Sequence, residues 1–479
     1  MKKGDIMELD IESYAFEGKG IAKIVNNSSD TENKNSKFVI FVNGAYPGDK
    51  VKAQVTKIKK SYAESKTIEI IDPSKFRVKA KCKYFGICGG CKQQDLDYNI
   101  QIEYKQKQVE EIFIRMGGFT NLAVESIIPS KINFFYRNKM EFSFAEKRWL
   151  TLDEINSGNE IDRNFALGLH IPNLFDKVLD IDECFLQSEV SNKILNFTRK
   201  FFKSKSVSIY SSKTNSGYLR NLVIKQSNHT NDLMVNLVTF YEDDKMMEEY
   251  SSEIIKVIPQ ITTVINNINL RKALVAFGDY EKIIFGSGYI TESIGKYKFR
   301  VSANSFFQTN TLQADLLYQT ALDFAGLNND DIVYDLYSGA GTISIFISDF
   351  AKKVFAFEAV ESAVKDAEEN ILLNKINNVQ FYISDLYKSF FPLIEDKKLP
   401  HPDIVILDPP RSGMHNNTVD DVIKLNPKKI VYVSCNAATQ VRDIKLFCKA
   451  GYRLIKIKSV DMFPHTHHIE NVALLEKSV

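Results

Sequence analysis

Residues 331–341 read DIVYDLYSGAG, an apolar run that stops at two closely spaced glycines. A run ending this way reads as a strand that turns straight into a helix at Thr342. Glycines at the turn let the backbone approach a ligand, and the helix start offers unpaired N–H groups. The same rhythm continues through KVFAFEAV (353–360), VQFYISD (379–385), PDIVILDPPRSG (402–413) and KIVYVSCN (429–436), with helical segments such as ESAVKDAEENILLNK between them. Alternation of this kind predicts a mostly parallel, doubly wound, Rossmann-like sheet that binds ligands at the carboxyl ends of its strands.

Acids close three of these runs. Asp335 lies in the first, Glu358 ends the second twenty-three residues later, and Asp385 ends the third. A carboxylate at the second position can take both hydroxyls of a ribose. A dinucleotide fingerprint would place a third glycine three residues after Gly341, where the chain reads TISIF. The pattern therefore favours S-adenosylmethionine over NAD. Cys435 falls just past the end of KIVYVS, facing the same crevice, although a free cysteine is as often a small buried hydrophobe. Asp408 and its paired prolines end the preceding strand in a rigid loop. Cys448 falls in a helical pattern and reads as structural.

The remainder of the 479 residues is too long for one core, and two to four domains are expected. Apolar residues at 44% and charged residues at 25% describe a globular chain. The start, MKKGDIMELD, carries acids where a signal peptide has its apolar run, and no stretch approaches 18 consecutive apolar residues. Six cysteines exclude a disulfide scaffold and point to a reducing cytoplasm. Residues 1–73 alternate short apolar runs with turn signals, which predicts a small β-barrel of OB-like type. Within it, NNSSDTENKNSK (26–37) reads as a long hairpin loop. Residues 97–116 show helical spacing and predict one amphipathic helix. The middle mixes strands and helices in an α+β pattern, giving domains at 1–73, 74–96 with 126–290, 97–125 and 291–479.

The net charge of +2 hides a local bias. Val51 to Lys92 holds eleven Lys/Arg against three Asp/Glu, a surplus of eight, which suits an anionic partner such as nucleic acid. Inside this basic segment lies KCKYFGICGGC (81–91), with Cys82, Cys88 and Cys91 in C-x5-C-x2-C spacing. Zinc ribbons usually supply two close pairs, whereas a run of three with one distant partner leans toward an iron–sulfur ligand set; spacing alone leaves both open. His465, His467 and His468 fit no common zinc pattern and read as solvent-exposed or RNA-facing.

Together, CGGC, YRNKMEFSF, SFFQTN, DLYSGAGT, LDPPRSG, VYVSCNAAT and DMFPHTHHIE resemble the bacterial RNA (uracil-5-)-methyltransferases, in particular their iron–sulfur branch acting on 23S ribosomal RNA. The resemblance covers nearly the whole chain. It implies an N-terminal TRAM RNA-binding barrel, a central domain with a [4Fe–4S] cluster and a C-terminal S-adenosylmethionine methyltransferase domain. It implies Cys435 as nucleophile, Glu470 as proton acceptor, and cofactor contacts from Gln308, Tyr337, Thr342, Glu358, Asp385 and Asp408. With Cys435 and Cys448 accounted for, Cys184 is left as the fourth cluster thiol beside Cys82, Cys88 and Cys91. Ser338 stands where relatives often carry cysteine. Phe306, Phe307 and Tyr136 are candidates for holding splayed bases. The expected protein is a monomer acting on naked or partly assembled 23S RNA. Rival readings are a tRNA T-loop methyltransferase, whose known forms generally lack the barrel and the cysteine cluster, and a non-catalytic RNA-binding protein with a zinc site. DNA cytosine methylation uses a Pro-Cys loop, which Ser434-Cys435-Asn436 does not match.

Overall fold

The computed structural model describes residues 1–25, 37–172, 174–273 and 275–478, so the hairpin loop expected at 26–37 lies outside the described residues except for Lys37, which opens a strand. Six N-terminal strands form one sheet in the order Ile6–Asp10, Lys50–Ile58, Tyr62–Asp72, Lys37–Asn43, Lys19–Val25, Ser13–Ala15. The two end strands are consecutive in sequence and joined only by Ile11 and Glu12. Two residues span a few ångströms, so the sheet must curl until its ends approach, which makes the barrel. Alternation fills it: Val51, Ala53 and Val55 point inward along Lys50–Ile58, against Ile40, Val42 and Ala63. Gly20 is required by a close approach, since a Cβ there would lie 2.8 Å from the Ala45 carbonyl oxygen.

The central sheet has seven strands, ordered Leu174–Asp180, Asn164–Ile171, Lys139–Trp149, Leu219–Gln226, Leu233–Thr239, Thr263–Ile268, Tyr280–Gly286. Helices Glu189–Ser204 and Asp244–Val257 cover one face through Ile194, Phe202, Tyr250 and Ile254. A hairpin, Tyr289–Ile294 with Tyr297–Ser302, then leads into helix Thr311–Ala325.

The C-terminal sheet has eight strands, ordered Val379–Ile383, Lys353–Glu358, Ile332–Leu336, Ile404–Leu407, Lys429–Ser434, Glu470–Lys477, Tyr452–Val460, Ala123–Ile128. The first five run parallel, and the four after the edge strand Val379–Ile383 are buried on both faces, which is why they read as continuous apolar runs. Glu470–Lys477 inserts antiparallel between two strands that precede it in sequence. The last strand, Ala123–Ile128, comes from before the central sheet, so the division drawn at residue 125 cuts through it.

Asp97 caps helix Tyr98–Ile112 by accepting the N–H groups of Asn99 and Ile100, and a π-helical turn, Phe113–Gly117, ends it. This helix packs on the C-terminal sheet and on helix Ala437–Lys449. It buries Gln101, Lys105 and Gln108 beside Val109 and Ile112, so its inner face is substantially polar. Among the described residues no helix is long and apolar enough to cross a membrane.

Candidate active site

Each polar residue singled out at a strand end lies along one edge of the C-terminal sheet. The turn after Ile332–Leu336 sets the geometry. Tyr337 sits at φ +66°, where a bulky residue is unusual, and its N–H bonds the Phe357 carbonyl at 3.0 Å. The Gly339 N–H donates to Glu358 Oε2 at 2.9 Å, while Ala359 and Val360 donate to Oε1. Glu358 is thereby aimed at the end of its strand. A Cβ on Gly339 would meet open space, but one on Gly341 would lie 2.5 Å from the Phe381 ring. Thr342 Oγ1 pairs with the Tyr318 hydroxyl at 2.9 Å.

Below this turn Asp335 is fully buried. Its Oδ2 accepts the Ser344 hydroxyl, whereas Oδ1 has no partner. Burial, helped by the Glu358 charge, pushes its carboxyl up to about 7. An unpaired buried acceptor beside a glycine turn with open space suits a nucleoside-bearing ligand with donors to give. Asp385 is exposed past the end of Val379–Ile383 and accepts the Tyr387 N–H. Gln308 lies in the 303–310 loop. Asn138 Nδ2 holds that loop through the Gln308 carbonyl at 2.7 Å, and buried Lys225 donates to the carbonyls of Ser302 and Ser305. The YRNKM and SFFQTN segments are thus one unit. Of the three aromatics considered for base contact, Tyr136 and Phe307 are core residues, and only Phe306 is exposed.

The second half of the crevice gathers Asp408, Cys435 and Glu470. Cys435 follows Lys429–Ser434, and Asn436 caps the next helix by accepting the N–H groups of Ala438 and Thr439. Glu470 opens the neighbouring strand, in which Asn471 faces Ser434 across the ladder. Asn471 is pinned by Gln440 and Ser459. Burial first, then the charges of Glu470 and Asp408, push the Cys435 thiol up to about 12, with Arg411 opposing. Burial and Asp408 hold the Glu470 carboxyl well above the carboxylate range, and burial pushes Asp408 up to about 7. Asp408 therefore acts electrostatically on Cys435 and Glu470. Three acidic groups this mutually coupled ionise one at a time.

The loop 461–469 leads into Glu470, and two segments hold it. Lys105 pairs with Asp461 and donates to the Phe463 carbonyl at 3.0 Å. Gln101 accepts the His465 N–H at 3.0 Å and donates to the carbonyls of Gln93 and Leu96. The N–H groups of Lys92 and Gln93, in the cysteine loop, donate to the His465 carbonyl. Contrary to the expectation of exposed histidines, His465 is 5% exposed, and His467 and His468 are half-buried. Burial lowers the imidazoles of His465 and His468 to about 4. The sequence reading missed Gln101 and Lys105, although their polar side chains recur at helical spacing with Gln108.

Cys82, Cys88, Cys91 and Cys184 line one cavity of about 540 Å³. Cys184 is brought there by a loop whose Cys184 N–H bonds Asn192. Burial pushes the Cys91 thiol up to about 12 and Cys184 to about 11. Among the described residues, no three His, Cys, Asp or Glu side chains converge as a group that could hold a metal ion. The four thiols are the donor set that a thiolate-held group would need, gathered from two separate segments around one cavity.

Comparison with known proteins agrees with this layout. Residues 1–68 match the TRAM domain, and residues 224–478 match the tRNA (uracil-5-)-methyltransferase family. Proteins named as uncharacterized RNA methyltransferases are similar over almost their full length. That of Chlorobaculum tepidum is 41% identical over 100% of this chain and 97% of its own. That of Bacteroides thetaiotaomicron is 41% identical over 96% of this chain and 99% of its own. Among solved structures, the Pyrococcus abyssi tRNA (uracil-54, C5)-methyltransferase in complex with S-adenosyl-L-homocysteine is 28% identical, with a TM-score of 0.73 over 98% of this chain and 99% of that one. With a glycine turn, a strand-end acid series and a cysteine–carboxylate crevice on one sheet edge, the chain belongs to the tRNA (uracil-5-)-methyltransferase family and is an S-adenosylmethionine-dependent RNA methyltransferase.

Proposed function

We propose that this enzyme methylates C5 of a specific uridine in 23S ribosomal RNA, with Cys435 as nucleophile and Glu470 as base. The grouping of Cys435, Glu470 and Asp408 in one crevice carries this reading. Uracil C5 is too weak a nucleophile to take a methyl group directly. The Cys435 thiol loses its proton to solvent as its sulfur adds to C6, forming an S–C bond and an enolate with electron density at C5. C5 then takes the methyl group from the sulfonium, leaving S-adenosylhomocysteine. Glu470 removes the C5 proton, and the returning electron pair expels the thiolate. Asp408 orients the uracil edge by hydrogen bonding. Gln308, Tyr337, Thr342, Glu358 and Asp385 bind the S-adenosylmethionine. The base leaves its stack to enter, at a cost of a few kcal/mol that a looped strand reduces.

In this reading Cys82, Cys88, Cys91 and Cys184 hold a [4Fe–4S] cluster that ties the barrel's exit to the central domain. The cluster supplies a cross-link and takes no part in methyl transfer. The enzyme works in the cytoplasm as a monomer. A tRNA uridine is the second reading, favoured by the Pyrococcus abyssi tRNA enzyme. Its match over 98% of this chain means that the overall domain layout does not by itself mark an rRNA enzyme. Mapping 5-methyluridine in ribosomal and transfer RNA from cells with and without the gene tests the substrate. A site lost from 23S RNA is expected, and loss from tRNA alone would overturn it.

A further inference from the structure

Lys81, one residue before the first cysteine, lies over three phenylalanine rings at once. Its ammonium is 5.1 Å from the centre of Phe134, 4.9 Å from Phe135 and 4.5 Å from Phe185. These residues come from three separate segments, so the cluster is built by the tertiary fold. The Phe135 and Phe185 rings meet edge to face at 6.0 Å, and Phe134 lies against His465 at 4.4 Å with the rings tilted by 34°. Phe135 is held at φ +58°, an unusual conformation for a bulky residue, by its N–H bond to the Phe185 carbonyl at 2.7 Å. None of the three rings is fully buried, and none belongs to the central core. Lys79, Lys81, Lys83 and Lys92 are exposed in the same basic segment, with Lys83 ion-paired to Asp182. From His465 the chain runs through His467 and His468, which feel the Arg411 charge, to Glu470.

Cations interleaved with open aromatic faces are how proteins hold single-stranded nucleic acid, because every base presents a stacking face. We propose that Phe134, Phe135 and Phe185 form a stacking site for an unpaired RNA base flanking the target uridine, with Lys81 turning from the rings to the adjacent phosphate. This deepens the RNA-methylation reading and rests on it.

The test is binding of a labelled short oligouridylate, read by anisotropy across a salt series, beside the same strand made of abasic nucleotides. Phe134→Leu and Phe185→Leu together are expected to weaken oligouridylate binding roughly fivefold to hundredfold with the salt slope unchanged. The abasic strand should bind variant and wild type alike. Lys81→Met should instead reduce the slope by about one. Wild-type affinity in the double variant, or an equal loss on the abasic strand, overturns the site. Retained S-adenosylmethionine binding shows that the variant is folded. As a check free of substitutions, 5-iodouridine RNA irradiated on the wild-type enzyme should cross-link at Phe134, Phe135 or Phe185. Cross-links confined to other segments refute the proposal. Adduct formation between Cys435 and 5-fluorouridine RNA is read in parallel: its absence would remove the methylation reading, whereas its presence with failed stacking removes this inference alone.

Discussion

Lys105 and Asp461 meet at 2.6 Å with neither side chain exposed, joining the helix after the cysteine loop to the loop that leads into Glu470. Burial lowers the Lys105 ammonium from its usual range, and Asp461 opposes that. Removing one partner leaves a buried charge unpaired. Lys105→Met is expected to cost about 3–5 kcal/mol, seen as a lower unfolding temperature. A compensating change at Asp461 should recover part of it. Unfolding at the wild-type temperature would show that the pair is solvated.

Cys435→Ala should abolish methyl transfer while leaving S-adenosylmethionine binding intact by calorimetry. Glu470→Gln should still add to the base but fail to remove the C5 proton. A covalent RNA–protein band on denaturing gels is the expected result, and turnover at the wild-type rate would count against both roles.

Asp408→Asn separates the electrostatics of the crevice from its chemistry. The Asp408 charge raises the Cys435 thiol, so removing it should make alkylation by iodoacetamide faster at pH 8 even as methylation falls. Stability should respond as well. The folded carboxyl is raised to about 7 from an unfolded value near 4. Its contribution is present at acid pH and is lost as pH rises through about 7. The melting temperature of the variant relative to wild type should therefore climb between pH 5 and 8. A constant difference would refute the shift.

Anaerobic purification should give a brown protein containing iron and sulfide. Cys184→Ser should lose both, together with protection from amide exchange at Lys92 and Gln93, whose N–H groups bond His465. Colourless protein with stoichiometric zinc would refute the cluster.

Gly341→Ala places a methyl group 2.5 Å from Phe381 at a φ of +77°. Backbone strain alone costs about 1–2 kcal/mol. A larger loss of S-adenosylmethionine affinity than of stability is expected by calorimetry, because the turn carries the Gly339 N–H bonded to Glu358.

Much of the crevice was legible because strand ends place their polar residues on one edge, so Glu358, Asp408 and Cys435 announce themselves at the close of apolar runs. Other features left no local signal. Ala123–Ile128 is an ordinary short strand, and nothing near it in sequence reveals that it completes a sheet more than two hundred residues downstream. Histidine is usually half-exposed, so burial of His465 under Gln101 and Phe134 had to come from tertiary packing. The polar face of helix Tyr98–Ile112 ran against the rule that inward positions are apolar. Lys105 and Gln101 are satisfied by a loop that arrives some 360 residues later, whereas Gln108 Nε2 is left without a partner.

The strand that begins with Glu470 enters between Lys429–Ser434 and Tyr452–Val460, both already synthesised. Until it arrives, each of those strands presents a bare apolar edge, a template for pairing with another chain. Helices Thr311–Ala325 and Ala437–Lys449 pack on Lys429–Ser434 and cover its faces but not its edge. With the roles proposed for Cys435 and Glu470, catalytic competence and protection from aggregation would be acquired in one event, and a nascent chain that exposes Cys435 would not yet turn over. Shortening or weakening this strand should raise insoluble protein before it lowers specific activity.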